Sequence, residues 1–94
     1  MNNKPVIWSP DAEEAYLDIL SNVATGSVKM LDELIGEVQK ITKLIEQFNS
    51  LGESCKGRPL RRIVIFKKFL LIYRIGSQYV EIVDFVYTGS DHQY

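Results

Sequence analysis

The stretch from Leu60 to Tyr87, LRRIVIFKKFLLIYRIGSQYVEIVDFVY, constrains the fold of this chain more than any other. β-Branched and aromatic residues dominate it: Ile63, Val64, Ile65 and Phe66, then Phe69, Ile72, Tyr73 and Ile75, then Tyr79, Val80, Ile82, Val83 and Phe85. Two short breaks, Lys67-Lys68 and Gly76-Ser77, divide it into segments of strand length. Runs of this kind separated by two-residue breaks predict a meander of antiparallel hairpins. Gly76-Ser77 suits a tight turn because glycine reaches φ > 0 without steric cost. Two lysines suit a solvated tip.

Turn positions fix register, and register fixes faces. Placing Phe66 opposite Phe69 and Ile75 opposite Gln78 gathers Arg62, Val64, Phe66, Phe69, Leu71, Tyr73, Ile75, Val80, Ile82 and Val86 on one face. That face is nearly all apolar and is expected to pack on the rest of the chain. The other face collects Arg61, Ile63, Ile65, Leu70, Ile72, Arg74, Tyr79, Glu81, Val83 and Phe85. In this register Arg61 lies opposite Arg74, a like-charge pair that costs roughly a few tenths of a kcal/mol or more. An anion would relieve it: Glu81, a carboxylate of a partner, or a phosphate. No internal element is left to cover this basic, partly apolar face, which marks it as an interaction surface.

The 94 residues suffice for one domain, spanning 1–94, with one small core. Hydrophobic residues make up 46% and charged residues 24%, as in a soluble globule. There is no apolar run of the about 18 residues that a membrane helix needs. The opening MNNKPVIWSPDAEE has no apolar leader core, and the expected location is the cytoplasm. The single cysteine, Cys55, has neither a disulfide partner nor a ligand cluster around it, so no metal and no cofactor are expected. The net charge of −1 conceals an asymmetry. Residues 1–53 carry −5, and residues 54–80 hold seven cations and no acid. A basic sheet beside acidic helices steers an anionic partner to one side.

Taken in order, Val6-Ile7-Trp8 is a short strand whose place in the sheet the sequence leaves open. Ser9-Pro10-Asp11 then opens a helix: Ser9 caps free N–H groups, Pro10 fits the first turn, and the acids favour the positive helix end. Ala12, Ala15, Tyr16, Ile19, Leu20 and Val23 form one apolar stripe. Thr25-Gly26-Ser27 ends this helix, and Ser27 caps a second, from about Val28 to Asn49. The stripe of the second helix is Leu31, Leu34, Ile35, Val38, Ile41, Ile45 and Phe48. So short a link makes an antiparallel helical hairpin. Gly36 lies inside the second helix, where it could allow close helix approach, and Gly52 suits a left-handed cap after it. Residues 53–59, ESCKGRP, read as a connecting loop; they lack the lysine-serine ending and following helix of a phosphate-binding loop. The assembled order is β-α-α-β-β-β, an α+β fold with a helical hairpin packed on a small, mainly antiparallel sheet.

VIWSPDAEEAYLDIL, a second helix ending in FNSLG, and LRRIVIFKKFLLIYRIGSQYVEIVDFVYTGSD together resemble the RelE/ParE superfamily of bacterial toxins. The resemblance covers nearly the whole chain. It rests on the strand leading into Ser9-Pro10, the Leu60-Arg61-Arg62 opening of the sheet, Tyr73-Arg74-Ile75, and the last strand running into Gly89-Ser90-Asp91. It implies a toxin of a type II toxin–antitoxin module, with a cognate antitoxin that covers its active surface. Two activities divide the superfamily. RelE-like members cut mRNA on the ribosome with lysines and arginines of the sheet and a tyrosine near the C-terminus; ParE-like members poison DNA gyrase. Against the nuclease pattern, Arg61 stands where a lysine is usual, Leu70 replaces a central-strand arginine, and Gly89 or a neighbour replaces another. Tyr94 matches the terminal tyrosine with a small shift of alignment.

Ribonuclease chemistry needs a base for the 2′-hydroxyl, positive charge for the developing phosphorane, and an acid for the leaving oxygen. His92 and Tyr94 are the catalytic candidates, with Arg61 and Arg74 for phosphate and Tyr79, Tyr87 or Glu81 as further proton-transfer groups. The constellation is incomplete, which favours the ParE-like mode, although the tail lacks that mode's arginines too. Arg61, Arg74, Tyr79, Glu81 and Tyr87 are the residues assigned to target or antitoxin binding. The alternatives are a ribosome-dependent nuclease with a rearranged site and a non-toxic, protein-binding member. Whether the chain forms a homodimer is left open.

Overall fold

Both helices begin where the sequence puts their caps. In the computed structural model, which describes residues 4–94, the Ser9 side chain accepts from the Ala12 N–H at 3.0 Å, and Ser27 accepts from Met30 at 3.1 Å. The first helix, α1, runs Pro10–Gly26 and the second, α2, Val28–Gln47. Ser27 also closes α1, donating its N–H to the Val23 carbonyl at 2.9 Å. The apolar stripes are buried at Ala12 and Ile19 of α1 and at Leu34, Val38 and Ile45 of α2. Phe48 leaves the stripe. The helix ends at Gln47, and Phe48, in a non-helical conformation, is 60% exposed.

Five strands form one sheet in the order β1-β5-β4-β3-β2. They are β1 Val6–Trp8, β2 Glu53–Ser54, β3 Arg61–Ile65, β4 Phe69–Ile75 and β5 Val80–Tyr87. β1 lies at an edge, parallel to β5, and the other pairs are antiparallel. Part of the expected 53–59 loop is therefore strand: Glu53 and Ser54 pair with Arg62 and Arg61. The β-α-α-β-β-β order holds with this one short strand added.

The register of β3 differs from the expected one by a single residue. Phe66 and Lys67, not Lys67 and Lys68, are the central turn residues, with φ of 54° and 60°. The Lys68 N–H closes the turn onto the Ile65 carbonyl at 3.1 Å. φ > 0 at both central residues is the hairpin geometry whose twist matches the flanking strands. The ladder resumes with Ile65 opposite Phe69, which puts Arg61 opposite Tyr73. A one-residue slip moves every side chain of a strand to the other face. Ile63 and Ile65 thus join the core, and Arg62 and Val64 point away from it. The anticipated Arg61–Arg74 pair does not exist.

β5 slips as well. Ile75 pairs with Val80 across a four-residue connection rather than with Gln78, and the Gly76 N–H reaches the Tyr79 carbonyl at 2.9 Å. Gly76 is not at positive φ. It is required by closeness, since a Cβ there would stand 2.9 Å from the Tyr79 carbonyl oxygen. Farther along, Tyr73 faces Ile82 and Ile72 faces Asp84, so Val83 is an extra residue that bulges the strand. The bulge turns Phe85 inward, where it is 1% exposed instead of lying on the outer face.

The core lies between the helices and the inner face of the sheet, with Leu34, Ile45, Phe69, Leu71, Tyr73, Ile82 and Phe85 at its centre. Trp8, Tyr16, Phe85 and Phe69 form a chain of rings: Trp8–Tyr16 and Tyr16–Phe85 have centroids 4.9 Å apart, and Phe69–Phe85 6.0 Å. Offset and tilted pairs at such distances contribute about 0.5–1.5 kcal/mol each beyond their area. Gly36 does not serve helix contact, because a Cβ there would meet nothing within 4 Å. Gly36→Ala is therefore expected to raise stability by about 0.5–1 kcal/mol through helix propensity alone; a urea titration that showed a loss instead would mean that this position has a packing role.

Candidate functional site

The sequence-assigned residues separate into three places. The first is a node under the end of α2. Arg61 donates to the carbonyl oxygens of Gly52 at 2.7 Å and Ser50 at 3.3 Å. Beside it the Tyr73 hydroxyl accepts from the Gly52 N–H at 2.8 Å and donates to the Asn49 carbonyl at 2.7 Å. Burial pushes the Tyr73 hydroxyl pKa up, with the Gly52 hydrogen bond and the Arg61 charge acting against it. Gly52 is not a left-handed cap; its lack of a side chain is what matters, since a Cβ would lie 2.8 Å from the Tyr73 ring. Arg61 is thus committed to holding the chain that leaves α2.

The second place is the Arg74 end of β4. Arg74 stands opposite Glu81 and donates to its carboxylate at 2.6 Å. That bond and charge push the guanidinium pKa up. Tyr79, 42% exposed, lies at the same end. Tyr87, 36% exposed, lies at the opposite end of β5 beside Phe69, with ring centroids 5.5 Å apart. Seven strand residues separate these ends, roughly 23 Å at 3.3 Å per residue.

The third place was not foreseen as a unit. It lies on the outer sheet face, away from the helices, and the chain's own tail covers it. This corrects the expectation that no internal element covers that face. Arg62 binds Glu53 through Nε at 2.9 Å and Nη2 at 2.6 Å, and through Nη1 the main-chain oxygen of Tyr94. The Tyr94 hydroxyl donates to Asp84 Oδ2 at 2.7 Å. The Arg58 guanidinium sits 5.2 Å from the Tyr94 ring centroid, and His92 stacks on the same ring at 5.9 Å. His92 is fully engaged: the Tyr94 N–H donates to Nδ1 at 3.1 Å, which leaves Nε2–H to donate to the Thr88 carbonyl at 3.2 Å. Of the catalytic candidates, His92 and Tyr94 therefore come together with Arg58 and Arg62, while Arg61 and Arg74 stand elsewhere. Asp84 was the signal in the sequence, an acid inside an apolar strand.

Tyr94 has a pKa pushed up to about 12, by burial first and then by the hydrogen bond and charge of Asp84. A tyrosine raised above its ordinary 10 contributes stability that is fully present below pH 10 and is lost as pH climbs through 12. The stability difference between the wild type and Tyr94→Phe is expected to be constant to about pH 10 and to shrink above it. Paired urea titrations at successive pH values measure it; a difference that held flat to pH 12 would mean that the hydroxyl makes no such bond.

The fold has known counterparts. The sequence model for the ParE toxin of the type II toxin–antitoxin system parDE matches residues 6–92. This chain belongs to the ParE toxin family. A chain of the chromosomal ParDE toxin–antitoxin system from P. aeruginosa superposes with a TM-score of 0.76 at 12% identity, covering 93% of this chain and 98% of that one. A conserved hypothetical protein from Helicobacter pylori, known from a solution structure, gives a TM-score of 0.60 at 19% identity, covering 93% and 97%. At such identities the likeness is one of fold. A search of curated protein sequences finds no match. Among the described residues of this ParE-family toxin, no group of acids, histidines and cysteine is placed to hold a metal ion. No helix among them is long and apolar enough to cross a membrane.

Proposed function

We propose that this ParE-family toxin arrests growth in the bacterial cytoplasm by binding DNA gyrase, and that a cognate antitoxin encoded with it neutralises it. The observation that carries the target assignment is how far the groups of the would-be nuclease site are already committed. The hydroxyl of Tyr94 serves Asp84, both ring nitrogens of His92 serve the tail's own backbone, and Arg74 serves Glu81. A nuclease needs a free base, a free acid and a free cation around one phosphate. Exposed residues without such commitments, among them Tyr79 and Tyr87 toward the two ends of the sheet and Lys67 and Lys68 at its tip, suit a broad macromolecular contact.

One observation favours a second reading, cleavage of mRNA on the ribosome. His92, Tyr94, Arg58 and Arg62 do lie together on the outer face. Induced expression of the chain alone in a bacterial host separates the two. Filamentation and a DNA-damage response with translation continuing is the expected result. Rapid loss of translation with fragmented mRNA would replace the gyrase assignment by the nuclease one. Normal growth with folded toxin present would point to a non-toxic, protein-binding member.

A further inference from the structure

The outer face ought to be the wet side of the sheet, since both helices pack on the inner one. Yet Ile72 on that face is 0% exposed and Leu70 4% exposed. The register explains what covers them. Arg62, Ile72 and Asp84 stand in one row across β3, β4 and β5. A row over three strands is about 10 Å long, close to the reach of a tyrosine from its main-chain oxygen to its hydroxyl. Tyr94 uses that reach: its main-chain oxygen takes Arg62 and its hydroxyl gives to Asp84, so its ring crosses above Ile72. The Arg58 guanidinium lies over the ring and also donates to the Gln93 carbonyl at 3.3 Å.

The covering segment is held differently from what it covers. No residue of 88–94 is buried, whereas the floor is. The segment is tied by a few polar contacts and by the turn after β5, where Ser90 bonds the Tyr87 carbonyl through its N–H at 3.1 Å and its hydroxyl at 2.7 Å. Segments with few buried apolar contacts open at low cost, well before the strands beneath them.

We propose that the outer face of β3–β5 is a groove for an extended, tyrosine-bearing polypeptide segment, filled in cis by residues 88–94 of the same chain, so that any partner segment binds there in competition with the tail. The groove reads an aromatic ring through Ile72, a main-chain oxygen through Arg62, and a hydroxyl through Asp84. Its occupant is polypeptide rather than nucleic acid, because Glu53 and Asp84 offset the charges of Arg58 and Arg62, and the contacts it offers suit a ring, a main-chain oxygen and a hydroxyl. This goes beyond the gyrase proposal and stands or falls independently of it.

The test uses the full-length chain, isotopically labelled for NMR, with the synthetic peptide Thr-Gly-Ser-Asp-His-Gln-Tyr as probe. Tyr94→Ala removes the ring and vacates the groove. Millimolar peptide is expected to shift the amides of Arg62, Ile72 and Asp84 in this variant saturably, toward their wild-type positions. The wild type should respond at least tenfold less, because its tail competes at an effective concentration in the millimolar range. Ending the peptide in alanine, or adding Asp84→Asn to the variant, should weaken binding several-fold. No saturable shift in a folded Tyr94→Ala variant overturns the proposal. So does a short RNA that shifts the same amides more strongly than the peptide. Should Tyr94→Ala not fold, Tyr94→Phe decides: the Ile72 and Asp84 amides should exchange hydrogen several-fold faster relative to those of the β1–β5 pair. Unchanged relative protection overturns it.

Discussion

Replacing Tyr73 by alanine is expected to destabilise the toxin by about 3–5 kcal/mol, the range for deleting a large buried ring. That is a large share of the roughly 5–15 kcal/mol that holds a small domain together. The ring is 0% exposed at the centre of β4, and the hydroxyl joins two segments that sequence alone does not connect. It donates to Asn49 and accepts from Gly52 while Arg61 binds the Gly52 and Ser50 carbonyls, fixing the path of the chain out of α2. Two further substitutions separate packing from polar bonds. Tyr73→Phe keeps the ring but strands a buried N–H and a carbonyl, which costs about 1–3 kcal/mol. Gly52→Ala keeps the tyrosine but drives a Cβ to within 2.8 Å of its ring. Urea titrations followed by circular dichroism measure all three. Wild-type stability in Tyr73→Phe would show that these hydrogen bonds contribute nothing.

Phe85→Ala is expected to cost a similar amount, about 3–5 kcal/mol, whereas Val83→Ala two residues earlier should cost about 1 kcal/mol or less. The contrast tests the bulge. In an unbroken ladder Val83 and Phe85 share the outer face, and neither would matter much. With Val83 as the extra residue, Phe85 turns inward and its ring meets those of Trp8, Tyr16 and Phe69 at 6.4, 4.9 and 6.0 Å. Equal losses for the two substitutions would contradict the register. Trp8 also supplies the readout, because Phe85→Ala leaves a void beside the indole and should change its fluorescence.

The sequence-legible part of this fold was its punctuation. Ser9 and Ser27 cap the helices they were expected to cap, because a serine followed by an apolar periodic run has one local use. The strand segments and the helical hairpin also stand where residue type placed them. Faces were a harder matter, since they depend on turn geometry to within one residue. Phe66 is bulky, and bulky side chains rarely take φ > 0, so the break in the apolar run, with two lysines suited to a solvated tip, pointed to Lys67-Lys68 as the turn and away from Phe66-Lys67. That single residue dissolved the Arg61–Arg74 pair and sent Arg62, not Arg61, to the outer face. The outer cluster was illegible for a related reason. Arg58, Arg62, Asp84 and Tyr94 meet only because the chain reverses after Tyr87, and Thr88-Gly89-Ser90 announces a turn without giving its direction.

The proposed target of this ParE-family toxin is gyrase and not RNA. A supercoiling assay with purified toxin and purified gyrase tests it most directly, run in parallel with translating ribosomes carrying a labelled mRNA. A dose-dependent loss of supercoiling with accumulation of cleaved DNA is expected, with intact mRNA in the parallel reaction. Undiminished supercoiling at saturating toxin, with mRNA cut in the ribosome, would contradict the gyrase assignment and make His92 and Tyr94, with Arg58 and Arg62 beside them, the catalytic site.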